Sequence, residues 1–327
     1  MIETLLSSNR LFLKMKLWLL CLAITSFILA GCATQRIAPV ADIENTPGAF
    51  SLPYRISSAG RILLDVSVNK AEARPLALDT GATISVLYGN FAEAVNLEVS
   101  DRTLFVRGLV GKGVRPVIED VPLQLGPQDI AMEQMLMLDT PFIKDEAVGL
   151  LGADIMSLFV ALFNKETLTA TFVPREAIDR RAFAGWNKIP LQIFSDAQTS
   201  SRLYFAQMDL GKRDIPVLID TGSNLNFINW KLATLDEEIE RLERKLIREG
   251  TLQGALDTTS VTTETVFNDL ELGKQHWKEI PVTVMGLSVL ETVAPVDGPM
   301  MVAGAKVFTP HTIAFDLVGL TLYLKPE

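Results

Sequence analysis

Cysteine is almost missing from this chain. Its 327 residues hold two, Cys21 and Cys32. Both lie in the N-terminal apolar stretch, so the body that follows has no thiol for a disulfide or a cysteine-ligated metal. Histidine is as scarce: His276 and His311 are the only two. That argues against a histidine-rich metal site and against a Ser/His/Asp triad, and we expect neither metal nor cofactor. Lysine and arginine nowhere cluster, and the net charge is −9. Residues 1–31 carry three of the basic residues and one of the acidic ones, so the balance beyond them is −11. A chain this acidic lacks the basic patches that meet nucleic-acid phosphates, and no nucleic-acid partner is expected. The apolar run at 17–30 also falls short of the ~20 residues a spanning helix needs. What remains is ordinary: 48% hydrophobic and 21% charged, with length for one large domain or two smaller ones.

The N-terminus reads as an address. In MKLWLLCLAITSFILAGC (15–32) a short basic start precedes an apolar run and then small residues, the pattern of a secretory signal. Its ending, Leu29-Ala30-Gly31-Cys32, resembles the lipobox of bacterial lipoproteins. That resemblance implies a lipidated Cys32, removal of residues 1–31, and a true start at Met15. It also implies membrane attachment; Ala33, in place of an aspartate, suggests the outer membrane, facing the periplasm. Residues 32–52 contain Pro39, Pro47 and Gly48 without a clear period and read as a flexible tether.

The body repeats itself. GRILLDVSVNKAEARPLALDTGA (60–82) aligns without a gap on SRLYFAQMDLGKRDIPVLIDTGS (201–223), a shift of 141. Each reads as two strands joined by a polar turn, the second running into Asp-Thr-Gly. Further landmarks follow in the same order. VRGLV (106–110) matches LQGAL (252–256), LQLG (123–126) matches LELG (270–273), LLGADIM (150–156) matches VAGAKVF (302–308), and FNKETLTATF (163–172) matches FDLVGLTLYL (315–324). The shift grows to 152, as expected when loops lengthen between equivalent strands. The second copy adds a charged amphipathic helix at 231–249, its apolar stripe formed by Leu232, Leu235, Ile239, Leu242 and Leu246. It is either a surface helix packed on its own lobe or a docking element for a partner. A shorter helix is expected within 89–99.

The turns Leu78-Asp79-Thr80-Gly81-Ala82-Thr83 and Ile219-Asp220-Thr221-Gly222-Ser223-Asn224 resemble the active-site turns of aspartic peptidases. Leu150-Leu151-Gly152 and Val302-Ala303-Gly304 resemble that family's second signature, two apolar residues and a glycine beside the catalytic turn. The likeness covers roughly residues 55–326. It implies a mostly β, two-lobed pepsin-like acid-protease fold of two retropepsin-like β-barrel repeats about a pseudo-twofold axis. The lobes would be 53–180 and 181–327. It further implies peptide-bond hydrolysis, with Asp79 and Asp220 as the catalytic pair.

The chemistry suits these residue types. Two adjacent carboxyls do not readily ionise together, so they share a proton; one can then act as base on water while the other donates to the substrate carbonyl. Gly81 and Gly222 let backbone approach the carboxylates. Thr80 and Thr221 could cross-link the two turns, as the family does. Ser223 could reach the outer oxygen of Asp220, which Ala82 cannot do for Asp79, so Asp220 is expected to ionise first.

A flap hairpin is expected at 106–117, with Gly108, Gly111 and Gly113, opposite a partner at 252–266 that contains Gly254. Ordinary exposed hairpins would read the same way. Neither segment has the flap tyrosine of pepsins. Asp154 is expected to cap a helix, His311 to sit in a turn, and Trp186, Trp230 and Trp277 to pack. The leading function is an endopeptidase acting on periplasmic peptides or proteins. A catalytically silent peptide-binding or assembly lipoprotein is the alternative. Each chain carries a complete pair, so a monomer is expected.

Overall fold

The strands that lead to the two Asp-Thr-Gly turns are buried on both faces, and their period-two pattern separates two kinds of core. We describe a computed structural model over residues 37–109, 111–139, 141, 143–196, 201–210, 213–233, 250–253, 258–261, 263–285 and 298–327. In the strand Ile62–Val68, Ile62, Leu64, Val66 and Val68 enter one large core while Leu63 points to a smaller cluster. The strand Arg74–Leu78 repeats this, with Leu76 and Leu78 to the large core and Ala77 to the other side. The second copy does the same. Tyr204, Ala206, Val217 and Ile219 join the large core, and Leu203, Phe205 and Leu218 join a second small cluster. Side chains alternate across a strand, so on the strand entering each turn the shift of 141 carries burial as well as sequence; on the strand before it the pairing is offset by one residue, Leu63 facing Ala77 but Phe205 facing Leu218, and the burial pattern moves with it.

Residues 38–327 form one compact unit. The two lobes share a six-stranded antiparallel stretch of the largest sheet, in the order Asn187–Pro190, Thr321–Leu324, Ile313–Asp316, Phe159–Asn164, Thr169–Pro174, Phe50–Ile56. Its middle pairing joins Leu162 to Ala314. Those two are counterparts under the shift of 152, so the pseudo-twofold axis passes between them. Phe163 and Phe315, also counterparts, meet edge to face across it with ring centroids 6.0 Å apart, a contact worth about 0.5–1.5 kcal/mol beyond burial. The large core is therefore continuous through both lobes. Residue 180, the boundary expected between the lobes, begins the short helical turn Arg180–Phe183.

The tether is shorter than the sequence suggested. A helical turn at Ala41–Glu44 and the strand Phe50–Ile56 lie within 32–52 and its border. Ile43 is fully buried among Phe183, Trp186 and Tyr323. The Trp186 indole donates to Ala38 O at 2.9 Å, and Ala38 N donates to Ala184 O at 2.8 Å. Apolar contact thus fixes a segment whose proline and glycine content reads as loose chain.

The first-copy helix spans Gly89–Ala94, and Asn96 just beyond it takes a left-handed φ of 54° that stops further winding. The first turn of the inserted helix is present at Trp230–Ala233, capped by the Asn229 carboxamide oxygen, which accepts from Leu232 N at 2.9 Å. Leu232 is buried in the core; residues 234–249, the rest of that expected helix, lie outside the described residues, as does Cys32. Among the described residues no helix is long and apolar enough to cross a membrane.

Candidate active site

Each Asp-Thr-Gly turn is the end of an apolar strand wedged beside a second strand that runs parallel to it. Ala77 and Leu78 pair with Leu150 and Leu151, and Ile219 and Asp220 with Ala303 and Gly304. The glycines of these partner strands are needed for space. A Cβ on Gly152 would lie 2.8 Å from Ala82 O, and one on Gly304 would lie 2.3 Å from Leu225 O. Contacts below 3 Å to backbone leave no room for a side chain, which explains the apolar-apolar-glycine signature.

Two polar residues anchor those glycines, and neither was singled out from the sequence. Ser85 Oγ accepts from Gly152 N at 2.9 Å, and Asn226 Oδ1 accepts from Gly304 N at 2.7 Å. They are counterparts under the shift of 141. A buried polar residue six positions after each aspartate was the available signal. Asp154, expected to cap a helix, is instead the second residue of the helical turn Ala153–Met156, whose N-cap is Gly152; its carboxylate mainly holds Ser85, accepting from Ser85 N at 2.8 Å and Ser85 Oγ at 2.6 Å.

The two turns meet. Thr80 N donates to Thr221 Oγ1 at 3.0 Å, and Thr221 N to Thr80 Oγ1 at 3.1 Å. In return Thr80 Oγ1 donates to Ile219 O at 2.7 Å and Thr221 Oγ1 to Leu78 O at 3.0 Å. Both threonines are buried. Four reciprocal bonds therefore lock the strand ends together across the axis, as the sequence predicted.

That lock brings the carboxyls of Asp79 and Asp220 within hydrogen-bond reach of each other. Asp79 Oδ1 accepts from Gly81 N at 2.9 Å and Ala82 N at 3.0 Å; Asp220 Oδ1 accepts from Gly222 N and Ser223 N, both at 3.1 Å. Each glycine also lies against the opposite carboxyl: a Cβ on Gly81 would be 2.7 Å from Asp220 Cγ, and one on Gly222 would be 2.1 Å from Asp79 Cγ.

Electrostatics separate the two acids. Burial raises the Asp79 carboxyl above its ordinary range, opposed by the Arg61 guanidinium and by the two N–H groups of its turn. Burial raises Asp220 as well, and the charge of Asp79 pushes it further. The cation therefore favours the anion on Asp79, and the charge of Asp79 disfavours a second anion on Asp220. The support that Ser223 was expected to give Asp220 is missing. The Ser223 hydroxyl turns away and donates to Leu225 O at 2.8 Å. Short hydroxyl side chains bond nearby backbone readily, and here that local bond wins.

A hairpin forms where the flap was expected. Thr103–Arg107 pairs with the start of Lys112–Leu125, and Gly108 N donates to Gly111 O at 3.1 Å to close the turn. Gly111 has φ of +78° and so occupies a left-handed position. A Cβ on Gly113 would approach the Arg115 guanidinium at 3.2 Å. Leu109, at the tip, packs against the second lobe's small cluster, which includes Leu203, Phe205 and Phe227. The hairpin thus reaches from one lobe to the other. The opposing hairpin pairs Gly250–Gln253 with Thr258–Val261; its turn, with Gly254, lies outside the described residues.

Of the remaining aromatic and titratable residues, the Trp277 indole donates to His311 Nε2 at 2.9 Å and stands edge to face against it. Trp186, Trp230 and Trp277 all pack in or against the cores, and His311 lies in a bend.

This arrangement of two related β lobes, with one Asp-Thr-Gly turn from each cross-linked at the axis, is the pepsin-like acid-protease fold. No protein-family model matches the sequence, and no curated protein sequence matches it. Among solved structures the chain is similar to the aspartic proteinase from Irpex lacteus, with a TM-score of 0.53 at 12% identity over 85% of this chain and 97% of that one. It is also similar to conglutin gamma, a basic 7S globulin from lupine seeds, with a TM-score of 0.48 at 11% identity over 86% and 95%. At these identities the first likeness carries the fold alone.

Proposed function

We propose that this chain is an aspartic endopeptidase, held at the bacterial cell envelope by a lipid on Cys32 and facing the periplasm. The observation that carries the enzymatic reading is the pair itself: carboxyls from two repeats, 141 residues apart in sequence, one buried and one half-buried, tied by the Thr80–Thr221 lock.

A water bound between the carboxyls is the nucleophile. Asp79, the ionised member, takes its proton as the oxygen attacks the peptide carbon, and Asp220 gives its proton to the carbonyl oxygen. In collapse of the resulting diol, Asp79 passes its proton to the leaving nitrogen and a diol hydroxyl returns one to Asp220. The dyad regains its single proton and the peptide bond is broken. The hairpin 103–116 covers the cleft, and an extended peptide lies beneath it as an added strand.

The test is cleavage of a peptide library by wild type, Asp79→Asn and Asp220→Asn across acid and neutral pH. Cleavage by wild type, lost in both variants with folding intact, is expected. Wild type that binds peptides and never cuts them would establish a silent binding protein instead. Membrane attachment rests on the residues at 15–32. Cys32→Ser should release the protein from the membrane fraction, and unchanged retention would end that part of the reading.

A further inference from the structure

An arginine with no exposed surface lies under the candidate site, and hydrolysis as described above does not use it. Arg61 immediately precedes the strand Ile62–Val68 and is completely buried, with Asp145 as its ion-pair partner. Nη2 meets Asp145 Oδ1 at 2.7 Å and Nε meets Oδ2 at 2.9 Å, a bidentate pair. Asp145 is further held by Ala147 N at 3.2 Å. Two of the guanidinium's three nitrogens are thereby committed to one side. The third, Nη1, points across the axis to Gly222 O at 3.4 Å. Gly222 is the residue whose Cβ would collide with Asp79, so the free edge of the cation faces the peptide that lies against the first carboxyl.

The alignment partner of Arg61 in the second copy is Arg202, but strand pairing is offset there by one residue, Leu63 facing Ala77 and Phe205 facing Leu218, so the place of Arg61 falls to the buried Leu203. Arg202 is exposed, and its backbone is bound by the Thr83 hydroxyl, which accepts from Arg202 N at 2.8 Å and donates to Arg202 O at 3.1 Å. The first lobe thus holds a buried cation where the second holds a leucine. A buried guanidinium is costly to desolvate, and a neutral pair of apolar residues would pack at least as well. The position calls for a reason beyond stability.

We propose that Arg61 is the positioning residue that assigns the shared proton: clamped by Asp145, it holds Asp79 as the anion and thus as the base, and leaves the proton on Asp220 as the acid. An otherwise symmetric pair of carboxyls acquires fixed roles from one asymmetric cation. The groups facing Asp79 are consistent with this. They are Arg61, Asp220 across the axis, and the N–H groups of Gly81 and Ala82; Tyr88 and Asp145 lie behind the guanidinium. Arg61 alone among them is a cation. Its field acts on Asp79, whereas Asp220 faces the charge of Asp79.

The proposal rests on the peptidase reading for its consequence and on carboxyl titration for its test. The carboxyl carbons of Asp79 and Asp220 are followed by NMR with ¹³C-labelled aspartate, assigned through Asp79→Asn and Asp220→Asn. In wild type Asp79 should titrate first; titration of Asp220 first would overturn the proposal without any further variant. Replacing the ion pair by apolar volume, Arg61→Met with Asp145→Leu, should raise the Asp79 titration by about one pH unit or more, because an anion loses its nearest cation. The acid limb of the kcat/KM profile should move up with it. Arg61→Lys keeps the charge and should restore at least half of the shift. A folded double variant with Asp79 unmoved refutes the assignment. If the titrations behave as expected and no peptide is cut, proton assignment stands and the peptidase reading falls.

Discussion

Valine in place of Thr80 keeps the shape of the side chain and removes one hydroxyl. That hydroxyl donates to Ile219 O and accepts from Thr221 N, and both partners belong to the opposite lobe in a fully buried setting. Each buried backbone group left without a partner costs about 1–3 kcal/mol, so Thr80→Val should destabilise the fold by roughly 2–5 kcal/mol, a large part of the ~5–15 kcal/mol of a typical domain. Thr80→Ser keeps the hydroxyl and loses one methyl, at about 1 kcal/mol. Thr221→Val should cost as much as Thr80→Val, since its hydroxyl serves Leu78 O and Thr80 N in the same way. Urea unfolding followed by tryptophan fluorescence measures these differences. The two threonine hydroxyls do not bond each other, so the double valine variant should lose close to the sum of the single losses. Cleavage should collapse already in either single variant, since either one loosens both turns. A Thr80→Val protein as stable as wild type to within about 0.5 kcal/mol would show that the lock contributes nothing and refute the reasoning.

Two further outcomes follow from the same geometry. Asp220 keeps its proton in the fold at pH values where the unfolded chain has released it, so its contribution to stability falls as pH rises from about 4 toward its raised folded pKa. Asp220→Asn should therefore gain stability over wild type with rising pH, by up to ~1.4 kcal/mol per unit in the middle of that window; thermal melts at pH 3.5 and 7 with a constant difference would contradict this. Gly222→Ala would place a methyl 2.1 Å from Asp79 Cγ, so activity should drop at least about 100-fold while stability falls by about 1–3 kcal/mol; near-normal turnover would mean the turn is not where we place it.

Much of the site was legible because a repeated sequence prints its symmetry twice. Asp79 and Asp220, their threonines and glycines, and the glycines at 152 and 304 occupy equivalent places in both copies, and the strand period carries burial with them. The hairpin at Thr103–Arg107 and Lys112–Leu125 was anticipated through its glycines to within a few residues. The misses lie where the copies differ or where distant segments decide. Arg61 and Arg202 look alike in the alignment, but a one-residue difference in strand pairing turns Arg202 outward and sets Leu203 in the place of Arg61. The Ser223 hydroxyl had two partners within reach, and the choice of Leu225 O depends on the local turn. Val40 and Ile43 have too short an apolar pattern to announce a docked segment.

The strand Phe159–Asn164 has one further implication. It joins the second half of the molecule edge to edge, with Leu162 opposite its own equivalent, Ala314. An edge that pairs about a twofold axis is self-complementary, so the same strand offered by another copy would fit in the same antiparallel register. A truncated product ending after residue 174 would expose that edge and could associate with itself, each copy then contributing one aspartate to a reconstituted pair. Joined in one chain, the two halves need not be identical, and the buried Arg61 of the first lobe has Leu203 as its counterpart in the second.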